Sequence, residues 1–305
     1  MSRKVASLSS SCDGDVLTAG FQNSHVHLNG PAFPKASTAK AATLEAGLAA
    51  LLTRYGFTTA FDIASDRDTT LALRARVNQG EVNGPRLLTA GLSFLMTPQR
   101  NQPAKRMPAD IAAAAATQTH QRGKLVFAHP TELAGVRATL QARVDILAHP
   151  SLGAPAPWPV DLMDALRSAG TYMVPTLKLL RYELDKEQVP QPHADRVLME
   201  SVREFGKFAA SGGKVLFGTD VDYMEDSDPT EEYELLAKAG LTPMQILASL
   251  TTTPAGRWKE SSQRGRLMAG MAADLVILEA DPAESLRNFA AVKCTIREGR
   301  VIYRR

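Results

Sequence analysis

The middle of this chain alternates short β-rich runs with amphipathic helical stretches, and that alternation admits few architectures other than a parallel sheet built from βα units. The strand-like runs are Thr58 to Ile63, Arg86 to Ala90, Leu125 to Ala128, Asp145 to Ala148, Tyr172 to Thr176 and Val215 to Gly218, besides the one leading into His25. Between them the spacing predicts helices over Thr38 to Tyr55, Asp68 to Gln79, Ala109 to Arg122, Glu132 to Gln141, Val160 to Ser168 and Asp195 to Ser211. Glycines such as Gly80, Gly123 and Gly170 follow these helices, where a left-handed cap is wanted. At 305 residues, 44% of them hydrophobic and 22% charged, the chain can bury a large core. One α/β barrel with a small appendage accommodates it as well as two ordinary domains.

Two stretches depart from the pattern. Residues 91–108 are rich in Pro, Gln and basic groups and carry no βα unit. An eight-unit barrel needs a further helix and strand there, so either one unit is absent or Ser93-Phe94-Leu95-Met96 forms a reduced strand. After about Gln263 the chain turns to short strands, Asp274 to Leu278, Val292 to Ile296 and Val301 to Tyr303, with turns at Gly270 and Glu298-Gly299. Leu8 to Thr18 can add a strand to this small β-domain. The expected division is therefore a barrel over 19–262 and a composite, incomplete β-sandwich from 1–18 plus 263–305.

Composition excludes several classes of function. A net charge of +3, with no basic run or interleaved aromatic stripe, gives no footprint for nucleic acid. No stretch reaches the roughly 18 apolar residues of a membrane span, and the first twenty residues lack the apolar core of a signal peptide. Cys12 and Cys294, near opposite ends, read as free thiols of a reducing, cytoplasmic compartment.

The chemistry is written at the strand ends. His25 and His27 close one run, His129 and His149 each close an apolar run in an Ala-His-Pro triplet, and Asp220 follows Gly218-Thr219 at the end of the last one. Residues two apart on a strand project to the same side, so His25 and His27 can chelate one ion. A structural histidine would sit inside its apolar run, whereas His129 and His149 both stand just before a proline that stops the ladder. Asp220 could be a helix N-cap. Beside three or four imidazoles it is better placed to ligate a divalent ion, take a proton from water and hand it to a departing amine. His120 and His193 lie on helical or polar segments and are left out. Trp158 and Trp258 read as packing residues.

Gly20-Phe21 through His27-Leu28, Gly56-Phe57-Thr58-Thr59 through Asp62, the two His-Pro strand ends and Gly218-Thr219-Asp220 together resemble the amidohydrolase superfamily of metal-dependent hydrolases. Gly265-Arg266-Leu267, Gly270 to Val276 and Gly299-Arg300-Val301 look like the closing part of that family's sandwich, as in imidazolonepropionases, prolidase-like enzymes and cyclic amidases. The resemblance implies a (β/α)8-type, TIM-like barrel that hydrolyses a C–N bond (other than a peptide bond, or dipeptide-like) of a small molecule with metal-activated water. It implies His25 and His27 as first-strand ligands, His129 as the fifth-strand ligand, His149 as the sixth-strand ligand or substrate contact, and Asp220 as ligand and general base. Lys178, Arg181 and Tyr182, just past the seventh strand, become candidates for orienting an anionic substrate. Asn23 stands where the family carries Asp. No strand-borne lysine is available to bridge two metals, since Lys105 sits in a Pro-flanked stretch. One zinc, or Fe or Mn in its place, is therefore the expected cofactor.

Two other readings compete. A deaminase would use the same ligands on an aminated ring. A shortened paralogue without turnover would keep the ligands as a metal-binding or interaction protein. Under any of these readings the unpaired sandwich edge invites homo-oligomers.

Overall fold

The computed structural model describes residues 15–90, 107–130, 132–149 and 157–305. The strands in chain order are β1 (Val16–Ala19), β2 (Phe21–Val26), β3 (Phe57–Asp62), β4 (Arg86–Thr89), β5 (Phe127–Ala128), β6 (Ile146–Ala148), β7 (Tyr172–Val174), β8 (Lys214–Val215), β9 (Leu275–Leu278), β10 (Val292–Arg297) and β11 (Arg300–Arg304). The helices are α1 (Ala41–Leu51), α2 (Arg67–Gln79), α3 (Ala109–Gln121), α4 (Leu133–Gln141), α5 (Val160–Ser168), α6 (Leu177–Lys186), α7 (Gln191–Ala210), α8 (Thr230–Lys238), α9 (Pro243–Leu250) and α10 (Thr252–Arg257).

β2, β3 and β4 pair in parallel, and so do β5, β6, β7 and β8, in that order. The chain beyond β8 joins the two sheets. Ser24 N–H donates to the Phe217 carbonyl at 2.7 Å, and Asp220 N–H to the His25 carbonyl at 2.9 Å. The result is one curved parallel sheet, β4-β3-β2-β8-β7-β6-β5, alternating with helices as an α/β barrel does. Among the described residues β4 and β5 are not paired. Ser93 to Met96 and Lys105, on which the question of the missing unit turns, lie outside the described residues.

Side chains of the parallel strands and their neighbours build two cores. Ile146, Val174 and Leu216 are wholly buried together, with Phe127 and Trp258 packed on them. The Trp258 ring lies 3.9 Å from that of Phe61 on β3 and 6.3 Å from that of Phe127 on β5, so it spans from one sheet to the other. Elsewhere Phe57 stacks on Phe217, Phe217 on Tyr233, and Tyr233 packs against Phe289.

β1, β9, β10 and β11 form a second, antiparallel sheet from both ends of the chain. β9 alternates as a half-covered strand should, with Val276 and Leu278 buried and Leu275 and Ile277 half-buried. This sheet is tied to the barrel by Thr295 Oγ1 donating to the Thr53 carbonyl at 2.6 Å and by Gly20 N–H donating to the Asp274 carbonyl at 2.7 Å. Among the described residues its edges are β1 and β11.

Several elements differ from the sequence expectation. β7 and β8 end earlier than their apolar runs, and past them the chain turns through Thr176 and Asp220 at positive φ values of 44° and 56°. α6 was not legible, its leucines being interleaved with Lys178, Arg181, Glu183, Asp185 and Lys186. α8, α9 and α10 are helices beyond the sequence expectation, and α7 opens at Gln191, ahead of Asp195, with a proline in its first turn.

Candidate active site

His25, His27 and Asp220 gather at the C-terminal ends of the parallel strands, with His149 beside Asp220 and His129 beside His149. His25 Nε2 lies 3.2 Å and His27 Nε2 2.7 Å from Asp220 Oδ1, and His149 Nδ1 lies 3.7 Å from Asp220 Oδ2. His129 Nδ1 contacts His149 Nε2 directly, with the two rings edge to face at 4.1 Å. His25, His149 and Asp220 are buried, His27 is half-buried and His129 is exposed. The cluster therefore opens to solvent past His27 and His129.

The electrostatics follow from this packing. Burial opposes ionisation of Asp220, yet His25, His27 and His149 around it hold its carboxyl well below the usual carboxylate range. Burial likewise opposes protonation of His27, but the Asp220 carboxylate, backed by Asp62 and Asp222, raises its pKa above the ordinary 6.5. His149 is pushed well below 6.5, first by burial and then by the charge His25 would carry beside it, so its imidazole is neutral. His129 keeps exposed surface, while the desolvation of its ring against its neighbours, with His25 adding to it, lowers its pKa too.

Hydrogen bonding assigns the His149 tautomer. The Thr176 hydroxyl has one proton, which the Pro175 carbonyl takes at 2.8 Å. Thr176 Oγ1 must then accept from His149 Nδ1 at 2.9 Å, which leaves the Nε2 lone pair turned toward His129. No sequence signal pointed to Thr176. Asn23 acts in the same way on the other side: its side chain donates to Thr219 Oγ1 at 2.8 Å and accepts from the backbone N–H groups of His25 and Thr219 at 3.2 Å each. An amide serves here where the family has an acid, because both bonding directions are used.

The surrounding backbone is tightly constrained. A Cβ on Gly218 would lie 2.3 Å from Val174 Cγ1 and 2.8 Å from His25 Cβ, so only glycine lets β2 and the post-β8 segment close on each other. Four non-glycine residues here have left-handed φ: His149 (34°), Thr176 (44°), Asp220 (56°) and Asp222 (74°). Each costs on the order of 1 kcal/mol, and such strain gathers at functional sites. Buried Asp62, at the end of β3, accepts from the Ser65 hydroxyl at 2.5 Å and from Thr70 and Thr89 at 2.9 Å. Ser65 Oγ in turn accepts the Leu28 N–H at 2.7 Å, anchoring the backbone that carries His27.

Lys178, Arg181 and Tyr182 are each engaged within the protein. The Lys178 ammonium is enclosed by Asp226 Oδ2 at 2.8 Å and the Asp226 and Asp228 carbonyls at 3.2 and 2.6 Å. Arg181 is shared between Asp195 at 2.8 Å and Glu231 at 3.2 Å, and Tyr182 packs edge-on to Tyr223. These side chains lock α6 to the segment that follows Asp220. Buried Glu232 on α8 completes the lock by accepting the Lys178 N–H at 2.7 Å, in the first turn of α6. His120 pairs with Asp145 and His193 with Arg196.

The model of the Amidohydrolase family matches residues 107–302, a stretch that includes His129, His149 and Asp220. This chain belongs to the amidohydrolase family. No curated protein matches it. Among solved structures this amidohydrolase is similar to a Xaa-Pro dipeptidase with methionine bound in its active site (TM-score 0.78, 20% identity, 95% of this chain and 87% of that one). It is also similar to a putative prolidase from Bifidobacterium longum (TM-score 0.76, 23% identity, 95% and 82%) and to an ochratoxinase from A. niger (TM-score 0.74, 15% identity, 95% and 83%). At these identities the likeness is one of fold. No helix among the described residues is long and apolar enough to cross a membrane.

The donor set fits the divalent ion that amidohydrolases employ. His25, His27 and Asp220 offer ligand atoms all within 4.8 Å of one another. Around a four-coordinate ion bonded at about 2.1 Å, neighbouring donors lie roughly 3.4 Å apart, close to the 3.2 Å between His25 and Asp220. His25 and His27 both present Nε2 to the buried Asp220 Oδ1, so three donor atoms face one another in one small space.

Proposed function

We propose that this amidohydrolase cleaves a C–N bond in a small amide, cyclic amide or dipeptide-like substrate, using one divalent ion, zinc by preference, held by His25, His27, His129 and Asp220 with His149. The observation that carries this is the convergence of imidazole nitrogens on one buried carboxylate oxygen. Such an ion, when bound, supplies a nucleophilic water near neutral pH and polarises the scissile carbonyl. The rest is done by the protein. Asp220 stays ionised because the histidines hold its pKa down, and it takes the proton of the attacking water and passes it to the departing nitrogen. His149, neutral and with its proton fixed on Nδ1 by Thr176, turns Nε2 to the ion or to the substrate carbonyl. Structural likeness to a Xaa-Pro dipeptidase and a prolidase supports dipeptide-like substrates as one class to screen. The buried free thiol of Cys294 supports a reducing, cytoplasmic setting.

Metal analysis of the purified chain beside a screen of amides, cyclic amides and dipeptides tests this reading. About one divalent ion per chain is expected, lost together with turnover in His25→Ala. Undiminished activity after thorough chelation refutes it.

A further inference from the structure

Tyr223 is among the large hydrophobic side chains left exposed in the described residues, at 49%, and it stands against the ligand cluster. Its ring lies 6.5 Å from that of His27, on the side where the cluster opens to solvent. The segment presenting it is costly to form and firmly held. Asp220 and Asp222 on either side of Val221 are both left-handed, His27 N–H donates to the Val221 carbonyl at 2.9 Å, and Asp222 Oδ2 accepts from Asn29 and Gly30 N–H at 2.6 Å each. The ring itself is braced by Tyr182 edge-on at 6.1 Å, by the Lys186 ammonium 5.1 Å from its centroid, and by the Lys186–Oη bond at 3.2 Å. An exposed aromatic surface fixed this thoroughly at a site mouth is built to be covered by something.

We infer that Tyr223 is a specificity-determining residue whose ring receives an aromatic or large apolar group flanking the scissile C–N bond, so that the favoured substrates are amides carrying such a group. Tyr182 and Lys186 act through it, by holding the ring. This rests on the hydrolase reading above. With Lys186 already supplying the cation over this ring, its remaining half-exposed area is offered to a planar or apolar substituent. Lys186, already engaged by Tyr223 and by Glu183 at 3.4 Å, serves as a brace.

The test compares two metal-binding probes, phenylacetohydroxamic acid and acetohydroxamic acid, by titration calorimetry on the metal-loaded protein, alongside kcat/KM for a phenylacetyl and an acetyl amide of the same amine. Wild type and Tyr223→Phe are expected to prefer the phenyl compounds about five- to tenfold. In Tyr223→Ala the preference is expected to fall to within about twofold. Collapse of the calorimetric preference with no amide turned over would retain the aromatic platform and overturn the assigned reaction. An unchanged preference in Tyr223→Ala, a Phe variant that behaves like Ala, or no binding of either probe overturns the inference.

Discussion

Glu232 offers a sharp test of how this site is held, because its carboxylate is buried for a geometric reason and not a catalytic one. It is 1% exposed, it accepts the Lys178 N–H in the first turn of α6, and its Oε1 has no hydrogen bond within 3.5 Å among the described residues. Burial pushes its pKa from 4.5 to about 7, against the N–H groups of Lys178 and Leu177 that pull it down. A carboxyl whose folded pKa is raised holds its proton more firmly in the native state. Its neutral form is therefore free of penalty below about 4.5, and stability is lost as the pH rises from there through 7. That rise corresponds to roughly 3 kcal/mol at about 1.4 kcal/mol per pH unit, with no discount for solvent at a residue so buried. Glu232→Gln keeps an acceptor for the helix N-terminus and removes the ionisation. The variant is expected to gain roughly 3 kcal/mol relative to wild type on going from pH 5 to pH 8.5. The cost of its unpaired amide is the same at both pH values and cancels, as do the histidines common to both proteins. At about 2 °C per kcal/mol for a chain of this size, the Tm difference between the two proteins should swing by about 6 °C. Differential scanning at both pH values reads this. A Tm difference that is the same at pH 5 and pH 8.5 would show that Glu232 is ionised in the fold, and the reasoning about its burial would be wrong.

Other outcomes follow from single contacts. Thr176→Val removes the acceptor that fixes the proton on His149 Nδ1, and turnover or metal affinity should fall about 10- to 100-fold, with Thr176→Ser recovering most of it. A mutant that loses stability while retaining kcat would leave Thr176 a packing residue. Gly218→Ala drives a methyl into Val174 and His25; a loss of about 1–3 kcal/mol is expected by denaturant titration, together with weakened metal binding. An alanine variant as stable as wild type would mean that the post-β8 segment moves freely relative to β2.

Much of the architecture was legible because it depends on local pattern. The alternating runs of β3, β6 and β7 and the helical periods of α2, α3 and α5 are properties of a dozen residues at a time, and the strands came out parallel as such alternation requires. Strand ends were misplaced where the chain turns through left-handed residues at Thr176 and Asp220. Nothing in the local pattern gives their φ. α6 was hidden because the lysine and arginine on it look like solvated rim charges until Asp226, Asp228, Asp195 and Glu231 are seen to enclose them.

By itself the sequence determined which residue types close each strand, since a proline after His129 and His149 and a Gly-Thr before Asp220 stop or bend the chain at those points. Parallel strands put their C-terminal ends on one rim, so those side chains were bound to share a neighbourhood. Only the tertiary structure decided what surrounds them: the hydroxyl that fixes the proton of His149, the carboxylate of Glu232 under α6, and the braced ring of Tyr223 beside His27. Thr176 meets His149 across 27 residues and Glu232 meets Lys178 across 54. Contacts over such separations are set by how whole elements pack, and no window along the chain contains both partners.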